Sequence, residues 1–581
     1  MDWNIDRRAV IGGMGALAAA SVAGPARAAR ERPLNVLMIV TDQEQGVASY
    51  PAGLLDRLPA HRELLARGML VENYHVHTTP CTPSRSNIFQ GRHTQQTGLF
   101  LNSDNAPYPV AAETMPTLGH MMQAAGYYTS YKGKWHLSRI NHERGWNRAP
   151  GGVYPTTERS MEKYGFHDYG FDGEEVGLTW DGYKADMYVA GDAARNIIDY
   201  GKGMKTGGKP WFQVVGLVNP HDIMFYNTDQ PGKPVQEAGN LAHLNHDPAH
   251  ALYAKKWPTK LPVSFRQRID APGRPPAHTD YKRGNDVMLG AIPDNEEWRW
   301  HKRHNYYLNC LRDVDRHVAA LLDELDARGL AASTIVVLTS DHGELDGAHH
   351  LSGKGATSYR EQNHVPLIVA HPAYPGGKRC RAVTTHLDIV PTLVALTNAS
   401  SDKKAAITKD LPGKDFSPVL AAPEKAGHAA VRDGQLYCFN MFATLDGEFL
   451  EKARDLLRQP GGPEKLKQGA LRPDMMKRGA IRSVFDGRYQ FTRYFSPKQH
   501  NRPTNIEALL QFNDVELFDH QNDPHELDNL AMDPKKHASL LLAMNEKLNR
   551  LIDAEVGEDV GQMLPGGVDA GWVATPAVND L

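Results

Sequence analysis

The chain has 581 residues, of which 41% are hydrophobic and 23% are charged, and its formal net charge is −3. Nucleic acid and anionic membranes call for a concentrated basic surface on the protein, and this charge balance does not predict one. The length exceeds that of one compact core, so we expect one large domain and a smaller one.

The N-terminus has the pattern of an export signal. Arg7 and Arg8 precede a weakly apolar, Ala/Gly-rich run over residues 9–24, and Ala26-Arg27-Ala28 offers a small-residue cleavage site. We predict a twin-arginine-type signal peptide over residues 1–28, which delivers an already folded protein to the periplasm or the medium. The run is too short and too rich in glycine for a membrane span, and no other span is present. We therefore expect no stable membrane insertion after signal removal.

Three nearly continuous apolar runs have the composition of strands that are buried on both faces of a parallel sheet. They cover residues 34–40, 211–218 and 334–339. Asp42 follows the first run, His221 the second and Asp341 the third. In open α/β sheets the ligand crevice lies outside the carboxyl ends of the strands. We therefore expect these three side chains to share one site.

Helical patterns alternate with these runs. The clearest is closed by Gly329, and its apolar stripe consists of Tyr307, Leu311, Val314, Val318, Leu321 and Leu325. The alternation predicts a doubly wound α/β domain over residues 33–420, with a large mixed or parallel sheet and helices on both faces. Residues 222–300 are polar and rich in Pro, His and Asn, so we expect a surface insertion near His221 there.

The pattern changes towards the C-terminus. Two apolar runs, 481–485 and 489–495, flank Asp486-Gly487, which predicts an antiparallel hairpin. A later stripe predicts an amphipathic helix through Leu541, Met544, Leu548 and Leu551. We expect a smaller C-terminal α+β domain with an antiparallel sheet over residues 425–557, followed by a tail over residues 558–581.

The segment Cys81-Thr82-Pro83-Ser84-Arg85 is the most specific motif of the chain. Taken alone, this segment is typical of a cysteine in a Pro-containing turn before a helix. It also matches the modification signature of the type I sulfatases, in the alkaline-phosphatase superfamily, which the chain resembles over nearly its whole mature length. Three further segments carry the resemblance. They are residues 126–137 with Gly133-Lys134-Trp135-His136, residues 340–343 with Lys354, and residues 515–530.

The resemblance implies a hydrolase of sulfate monoesters, either of sulfated carbohydrates or of aryl or alkyl sulfates. In that family a formylglycine-generating maturation enzyme oxidises the cysteine, here Cys81, to formylglycine. The aldehyde hydrates to a geminal diol, one hydroxyl of which attacks sulfur while the other later eliminates sulfate. Covalent catalysis of this kind splits one hard displacement into two easier steps. Export of a folded, already matured enzyme agrees with the twin-arginine pattern.

The resemblance also implies a metal centre. Asp42, Gln43, Asp341 and His342 match the family's metal positions, with the modified Cys81 as a further ligand. Many members carry Asp-Asp and Asp-Asn, so Gln43 and His342 give this set fewer carboxylates and one nitrogen. Oxygen-rich sites suit Ca²⁺ or Mg²⁺, whereas imidazole shifts the preference towards Mn²⁺. We expect Ca²⁺, with Mn²⁺ or Mg²⁺ as alternatives.

An anion pocket is implied around the metal. Arg85, Lys134 and Lys354 match positions that hold the sulfate group and the modified side chain. His136 matches the residue that acts on the diol hydroxyl during elimination, and His221 the residue that protonates or stabilises the departing alkoxide.

Several residues have a structural interpretation beside a functional one. His349 and His350, in the loop before Lys354, are assigned to structure or to support of the site. Four cysteines make no dense disulfide framework, and an odd number remains once Cys81 is consumed. The other three are expected to be structural, and they are Cys310, Cys380 and Cys438.

Two alternatives stay open. Phosphonate monoester or phosphodiester hydrolases of the same superfamily can share the Cys-derived nucleophile, the Asp-Gln and Asp-His pairs and a His-His loop. They lack the pair formed here by Lys134 and His136, which favours the sulfatase interpretation. The other alternative is a non-catalytic exported binding protein on a decayed scaffold, and the chain retains every residue whose loss would indicate decay. Fold alone does not decide between these functions.

Overall fold

The computed structural model describes residues 33–105, 110–138, 160–171, 173–561 and 563. The predicted signal peptide, residues 1–28, lies outside these ranges, and the predicted tail is described only up to residue 561 and at residue 563. No helix in the described ranges is long and apolar enough to cross a membrane.

A seven-stranded mixed sheet forms the centre of the larger part of the molecule. Its strands are β1 (Asn35–Asp42), β2 (Met69–His75), β3 (Tyr128–Gly133), β4 (Trp211–Pro220), β5 (Thr334–Ser340), β6 (Leu367–Ala370) and β7 (Lys378–Thr385). The strand order is β3-β4-β1-β5-β6-β2-β7. Strand β1 pairs in parallel with both β4 and β5, and only β6 runs antiparallel to its two neighbours. The three strands predicted from the apolar runs, β1, β4 and β5, are therefore adjacent in the sheet.

The sheet separates two hydrophobic cores because successive side chains of a strand point to opposite faces. Val36, Met38 and Val40 of β1 pack into one core, and Leu37 and Ile39 pack into the other. Helices that contribute to the first core include α2 (Cys81–Gln90), α4 (Leu118–Ala124) and α9 (Ile389–Ala395), and those of the second include α1 (Pro59–Arg67), α5 (Asp181–Gly201) and α7 (Glu297–Ala327). The remaining helices of this part are α3 (Thr94–Thr97), α6 (Pro276–Leu289), α8 (Arg360–Asn363) and α10 (Ser401–Thr408).

Residues 222–300, expected to be a surface insertion, contain regular structure. Helix α6 lies within this segment, and α7 begins inside it, ten residues before the first residue of the predicted stripe at Tyr307. Trp257, Tyr281 and Trp300 are buried although the segment as a whole is polar. Trp300 packs with Phe265 and Ile292 of the same segment, whereas Trp257 and Tyr281 pack into cores shared with the rest of the molecule.

The C-terminal part contains a separate four-stranded antiparallel sheet in the order β11-β10-β9-β8. Its strands are β8 (Gln435–Phe439), β9 (Ala480–Phe485), β10 (Tyr489–Phe495) and β11 (Asn513–Asp519), and its helices are α11 (Gly447–Leu457), α12 (Gly462–Lys467), α13 (Ile506–Phe512) and α14 (Ala538–Leu551). The predicted hairpin is β9–β10, and Gly487 in its turn has a φ of 99°. Leu541, Met544 and Leu548 of α14 cover one face of the sheet. The predicted fold class is confirmed.

Candidate active site

The carboxyl ends of β1, β4 and β5 meet at one edge of the large sheet. Asp42 ends β1, His221 follows β4 directly, and Asp341 follows β5 directly. The His221 Nε2 atom lies 3.9 Å from Asp42 Oδ1, and the backbone N–H of Gln43 donates to Asp341 Oδ1 over 3.2 Å. The parallel pairing of the three strands thus brings residues almost 300 positions apart into one cluster.

Cys81 is the first residue of α2 and is fully buried. Its Sγ atom lies 3.2 Å from His342 Nε2 and 3.7 Å from Asp42 Oδ1. The motif is therefore the start of the helix itself rather than a turn before it. The free N–H groups and the dipole of a helix N-terminus favour negative charge, so this position suits a reactive group that becomes anionic.

A donor set fit for a divalent cation surrounds Cys81. One ligand atom each of Asp42, Cys81, Asp341 and His342 lies within 4.8 Å of all the others. His342 Nδ1 lies 3.0 Å from the carbonyl oxygen of Gly343, to which only a protonated nitrogen can donate. The Nε2 lone pair therefore faces the two aspartates, and it lies 3.7 Å from an oxygen of each. This is the tautomer that a metal-binding histidine needs.

Gln43 lies beside this donor set with its amide fixed on both sides. Its φ of 72° is in the left-handed region, which is strained for a residue with a side chain. The amide nitrogen donates to Glu344, and the amide oxygen accepts from Lys354 Nζ over 2.5 Å. The Gln43 oxygen is thus oriented towards Lys354 at the edge of the cluster.

Two cations hold the carboxylates in place. Arg85 Nε lies 2.8 Å from Asp341 Oδ2, and its Nη2 lies 3.3 Å from Asp42 Oδ2. Lys134 Nζ lies 2.6 Å from the same Asp42 oxygen. Burial raises the pKa of Asp42, but the neighbouring cations, with Lys134 the strongest, outweigh it and hold that pKa well below its usual range. The pKa of Asp341 is raised, first by burial and then by Asp42.

A glycine positions Lys134. Gly133, the last residue of β3, has a φ of 82°, and a Cβ there would lie 2.2 Å from the carbonyl oxygen of Gly216 in β4. Without a side chain at this point, the chain passes close to β4, and the N–H of Lys134 donates to the Gly216 oxygen over 2.9 Å. The turn carries Lys134 towards Asp42.

His221 and Lys354 form a second pair. Lys354 Nζ lies 2.9 Å from His221 Nε2, and since an ammonium group only donates, this nitrogen of His221 is unprotonated. Burial first, and then Lys354, lower the pKa of His221 well below its usual range. A Cβ on Gly177 would lie 2.7 Å from His221 Nδ1, so a side chain at that position would clash with the imidazole.

His136 is held by two acidic side chains that the sequence patterns did not indicate. Its Nε2 atom lies 3.0 Å from Asp104 Oδ1, and Glu174 accepts hydrogen bonds from the backbone N–H groups of His136 and Trp135. Burial raises the pKa of Glu174 to about 7. Like Gln43, His136 has a left-handed backbone, with a φ of 54°. Asp104 and Glu174 lie in loops with no periodic pattern, so the sequence gives no signal for either. Glu344, which holds the Gln43 amide, follows Asp341 and His342 closely in the sequence, and this proximity was the one available signal.

His349 and His350 contact residues of the segment 222–300. His349 Nδ1 lies 2.6 Å from Gln267 Oε1, and His350 Nε2 lies 2.9 Å from Asp294 Oδ1. All four cysteines are unpaired, and Cys310, Cys380 and Cys438 are buried.

Residues 34–399, more than half of the chain, match the profile of the Sulfatase family. Among curated proteins, the chain is 24% identical over 527 residues to the Delta 4,5-hexuronate-2-O-sulfatase of Bacteroides thetaiotaomicron, covering 89% of this chain and 88% of that one. The chain therefore belongs to the sulfatase family, and it is a sulfatase enzyme with an alkaline-phosphatase-like fold.

Solved structures share the fold. A 2-O GAG sulfatase superposes with a TM-score of 0.61 at 18% identity, over 94% of this chain and 96% of that one. A phosphonate monoester hydrolase from Silicibacter pomeroyi superposes with a TM-score of 0.59 at 18% identity, over 90% of this chain and 96% of that one. Both reaction classes thus occur on this fold.

Proposed function

We propose that the protein hydrolyses sulfate monoesters with a nucleophile made by oxidation of Cys81 to formylglycine. The observation that carries the proposal is the position of Cys81 Sγ, which lies 3.2 Å from His342 Nε2 at the start of α2, inside a donor set for a divalent cation. A cysteine with a purely structural role has no need of buried aspartates and cations around its sulfur.

The proposed reaction has two steps, a displacement at sulfur and an elimination of sulfate. In the first, one hydroxyl oxygen of the hydrated formylglycine bonds to sulfur, the bond between sulfur and the alcohol oxygen breaks, and the alcohol leaves with a proton. In the second, the other hydroxyl loses its proton, the aldehyde C=O bond re-forms, and the carbon–oxygen bond to sulfate breaks. Serine carries only one oxygen on its Cβ, so it can undergo the first step but not the second.

The residues of the donor set fit a divalent cation. Asp42, Asp341 and His342 would hold it together with the modified Cys81, and Gln43 would complete the set through its amide oxygen. When bound, such a cation lowers the pKa of a hydroxyl group and offsets negative charge on sulfate oxygens. The single nitrogen ligand leaves Ca²⁺ and Mn²⁺ as the two favoured ions, with Mg²⁺ as a further alternative.

The side chains around the donor set supply charge and protons. Lys134 and Arg85 fix Asp42 and Asp341, and their positive charge favours an anion at Cys81. His221 is neutral and accepts a hydrogen bond from Lys354, so we assign delivery of a proton to the departing alkoxide to the Lys354–His221 pair. We assign removal of the second hydroxyl proton to His136, which Asp104 orients.

Phosphonate monoester hydrolysis is the second candidate. Gln43, His342 and the pair His349–His350 favour it, and a phosphonate monoester hydrolase shares the fold. Against it stands the buried ion pair between Lys134 and Asp42, because this lysine belongs to the sulfatase pattern. We therefore rank sulfate ester hydrolysis first.

The substrate class and the cellular route are part of the same proposal. The name of the Bacteroides thetaiotaomicron relative supports a sulfated carbohydrate, and aryl or alkyl sulfates are alternatives. We also propose maturation by a formylglycine-generating enzyme and export by the twin-arginine route, which Arg7 and Arg8 and the apolar run after them support.

The test compares the turnover of an aryl sulfate with that of an aryl phosphonate monoester. The protein is co-expressed with a formylglycine-generating enzyme, and Cys81→Ala serves as the blank. We expect sulfate turnover well above phosphonate turnover, and its loss in the blank. Faster phosphonate turnover, or sulfate turnover that survives in Cys81→Ala, would overturn the proposal. A panel of sulfated uronic acid and hexosamine saccharides then tests the substrate class.

A further inference from the structure

A second cluster of metal-ligating side chains lies outside the residues assigned to catalysis. It consists of His349, Glu361 and Glu526, which each offer one ligand atom within 4.8 Å of the other two. His349 belongs to the loop between β5 and α8, Glu361 lies in α8, and Glu526 follows β11. The cluster therefore joins the large sheet domain to the C-terminal part.

The imidazole of His349 is oriented for ligation. Its Nδ1 atom lies 2.6 Å from the side-chain oxygen of Gln267, which can only accept, so Nδ1 carries the proton and Nε2 has a free lone pair. The ring stacks on Tyr359 with centroids 3.5 Å apart and an interplanar angle of 5°. His349 is completely buried, and no described residue forms a hydrogen bond with its Nε2 atom. A buried nitrogen without a partner is costly, so this geometry calls for a ligand.

The two carboxylates lie close to each other and to His349. The Oε1 atom of Glu526 lies 3.2 Å from His520 Nε2, and among the described residues no lysine or arginine forms an ion pair with either carboxylate. Glu526 is completely buried, and its Oε2 atom accepts from the backbone N–H of Arg360 over 3.0 Å. Glu361 is 9% exposed, and its Oε2 atom has no hydrogen-bond partner among the described residues. Burial, and then the nearby Glu526, raise the pKa of Glu361 to about 7. A cation between the two carboxylates would remove this repulsion.

The neighbouring guanidinium groups of Arg360 and Arg274 do not take that place. Arg360 Nη1 donates to the backbone oxygen of Pro524 over 3.1 Å. Arg274 Nη1 donates to the backbone oxygen of His349 over 2.8 Å. Burial, and then Arg274, lower the pKa of His349 well below its usual range.

A third cluster of similar composition provides a contrast. His77, His93 and Glu555 also lie within reach of one another. There, however, Glu555 accepts from Arg432 Nη1 over 2.8 Å and lies 3.1 Å from His93 Nε2. The carboxylate is already neutralised by a guanidinium group, so this cluster does not call for a metal. The cluster of His349, Glu361 and Glu526 differs in that no guanidinium group pairs with its carboxylates. In addition, His349 Nε2 and Glu361 Oε2 have no hydrogen-bond partner among the described residues.

We propose that His349, Glu361 and Glu526 bind a structural divalent cation, separate from the one at Cys81. One imidazole nitrogen and two carboxylate oxygens form a ligand set for a first-row ion such as Zn²⁺ or Mn²⁺. The ion would fix the loop that follows Asp341 and His342 and leads to Lys354 against the C-terminal sheet. This inference does not depend on the reaction that the enzyme catalyses.

The test is the metal content of the full-length mature protein. Wild type and four variants are equilibrated with Zn²⁺, dialysed against metal-free buffer and analysed by mass spectrometry for bound zinc. His349→Gln is expected to bind about one equivalent of zinc per chain less than wild type. His342→Ala is expected to lose zinc from the other site, at Cys81. His350→Gln is the matched control, because its Nε2 faces Asp294, and it is expected to lose none.

Two outcomes would overturn the proposal. One is a His349→Gln protein with the same zinc content as wild type, and the other is an equal loss of zinc from His350→Gln. Because His349→Gln could disturb the loop, Glu361→Gln is measured alongside it, and circular dichroism checks that each variant is folded. Co²⁺ gives a second readout, since the visible absorption assigned to this site is expected in wild type and His350→Gln but not in Glu361→Gln. Equal Co²⁺ absorption in Glu361→Gln and wild type would equally overturn the proposal.

Discussion

Lys134 Nζ lies 2.6 Å from Asp42 Oδ2, and both side chains are completely inaccessible to solvent. In a buried ion pair, each partner offsets the desolvation cost of the other, so the loss of one leaves an uncompensated charge. Here Arg85 also reaches Asp42, at 3.3 Å, and part of the compensation would survive the loss of Lys134. The lysine is thus positioned both to orient Asp42, the proposed metal ligand, and to face the proposed anion site.

Replacement of this lysine by an apolar side chain of similar length separates the two roles. Lys134→Met is expected to lower kcat for an aryl sulfate by about 100-fold or more, since it removes a preorganised positive charge from the anion site. It should also destabilise the protein by about 3 kcal/mol, because Asp42 loses a buried partner. Steady-state kinetics and denaturant unfolding measure the two effects.

Lys132→Met is the matched control. Lys132 is equally buried and pairs with Asp192 and the backbone oxygen of Asp168, away from Asp42. We expect it to destabilise the protein while keeping kcat within about twofold, because it removes no charge from the site. An equal loss of kcat in both variants would mean that the Lys134 effect is structural.

Cys81→Ser tests the need for two oxygens on one carbon. The serine hydroxyl can accept the sulfuryl group but cannot eliminate it, so we expect a stable sulfate ester on this residue and no steady-state turnover. Intact-mass spectrometry after incubation with an aryl sulfate detects the adduct. An unmodified Cys81→Ser protein that turns over substrate at the rate of the matured enzyme would contradict the two-step reaction.

The proposed nitrogen ligand, His342, predicts that activity depends on the identity of the metal. Dialysis against a chelator should abolish activity, and Ca²⁺ or Mn²⁺ should restore it. In His342→Asn the set becomes all-oxygen, so the ratio of Mn²⁺-restored to Ca²⁺-restored activity should fall by about tenfold. The ratio is read from titrations of each ion into the metal-free enzyme. An unchanged ratio in His342→Asn would exclude this residue from the metal's ligands.

His61 provides a pH dependence of stability that is separate from catalysis. It lies completely buried between Glu44 and Asp315, with ring nitrogens 2.9 Å and 2.6 Å from their oxygens. Burial lowers its pKa, but Glu44 and Asp315 outweigh this and raise the pKa from 6.5 to about 10. Since the raised pKa belongs to the folded state, this stabilisation is fully present below pH 6.5 and is lost as pH rises towards 10.

The variant His61→Gln isolates this contribution. The difference in unfolding free energy between wild type and His61→Gln should shrink between pH 6.5 and pH 10, by up to about 5 kcal/mol. Urea unfolding at three pH values in this window measures it. A difference that stays constant across the window would show that His61 does not gain its charge on folding.

The sequence predicts those strands and turns that depend on a local pattern of apolar and turn-forming residues. Strands β1, β4 and β5 could be located because each is an apolar run of the length of a strand, and Asp42, His221 and Asp341 follow them directly. Parallel pairing then brings the ends together, a consequence of α/β topology rather than of any one residue. The hairpin β9–β10 follows from alternation and from Asp486-Gly487 in the same way.

Other features depend on partners that are distant along the chain. Asp104 and Glu174 hold His136 from loops without periodicity, so neither could be assigned to the site in advance. Helix α6 was missed because its sequence is mostly polar, and the burial of Tyr281 depends on contacts with residues 352–355. Local propensity is a weak guide where tertiary packing supplies most of the stabilisation.

The complete burial of Cys81 determines the order in which its oxidation and the folding of the chain can occur. Every residue of α2 is inaccessible to solvent, so in the folded protein no second macromolecule can reach the sulfur. The proposed oxidation of Cys81 by a maturation enzyme would therefore act on a chain that has not yet folded around residue 81. Synthesis and folding compete with this modification, and each molecule that folds first is trapped with an unreacted thiol. The fraction of active molecules in a preparation would then depend on the rate of folding relative to the rate of oxidation of Cys81.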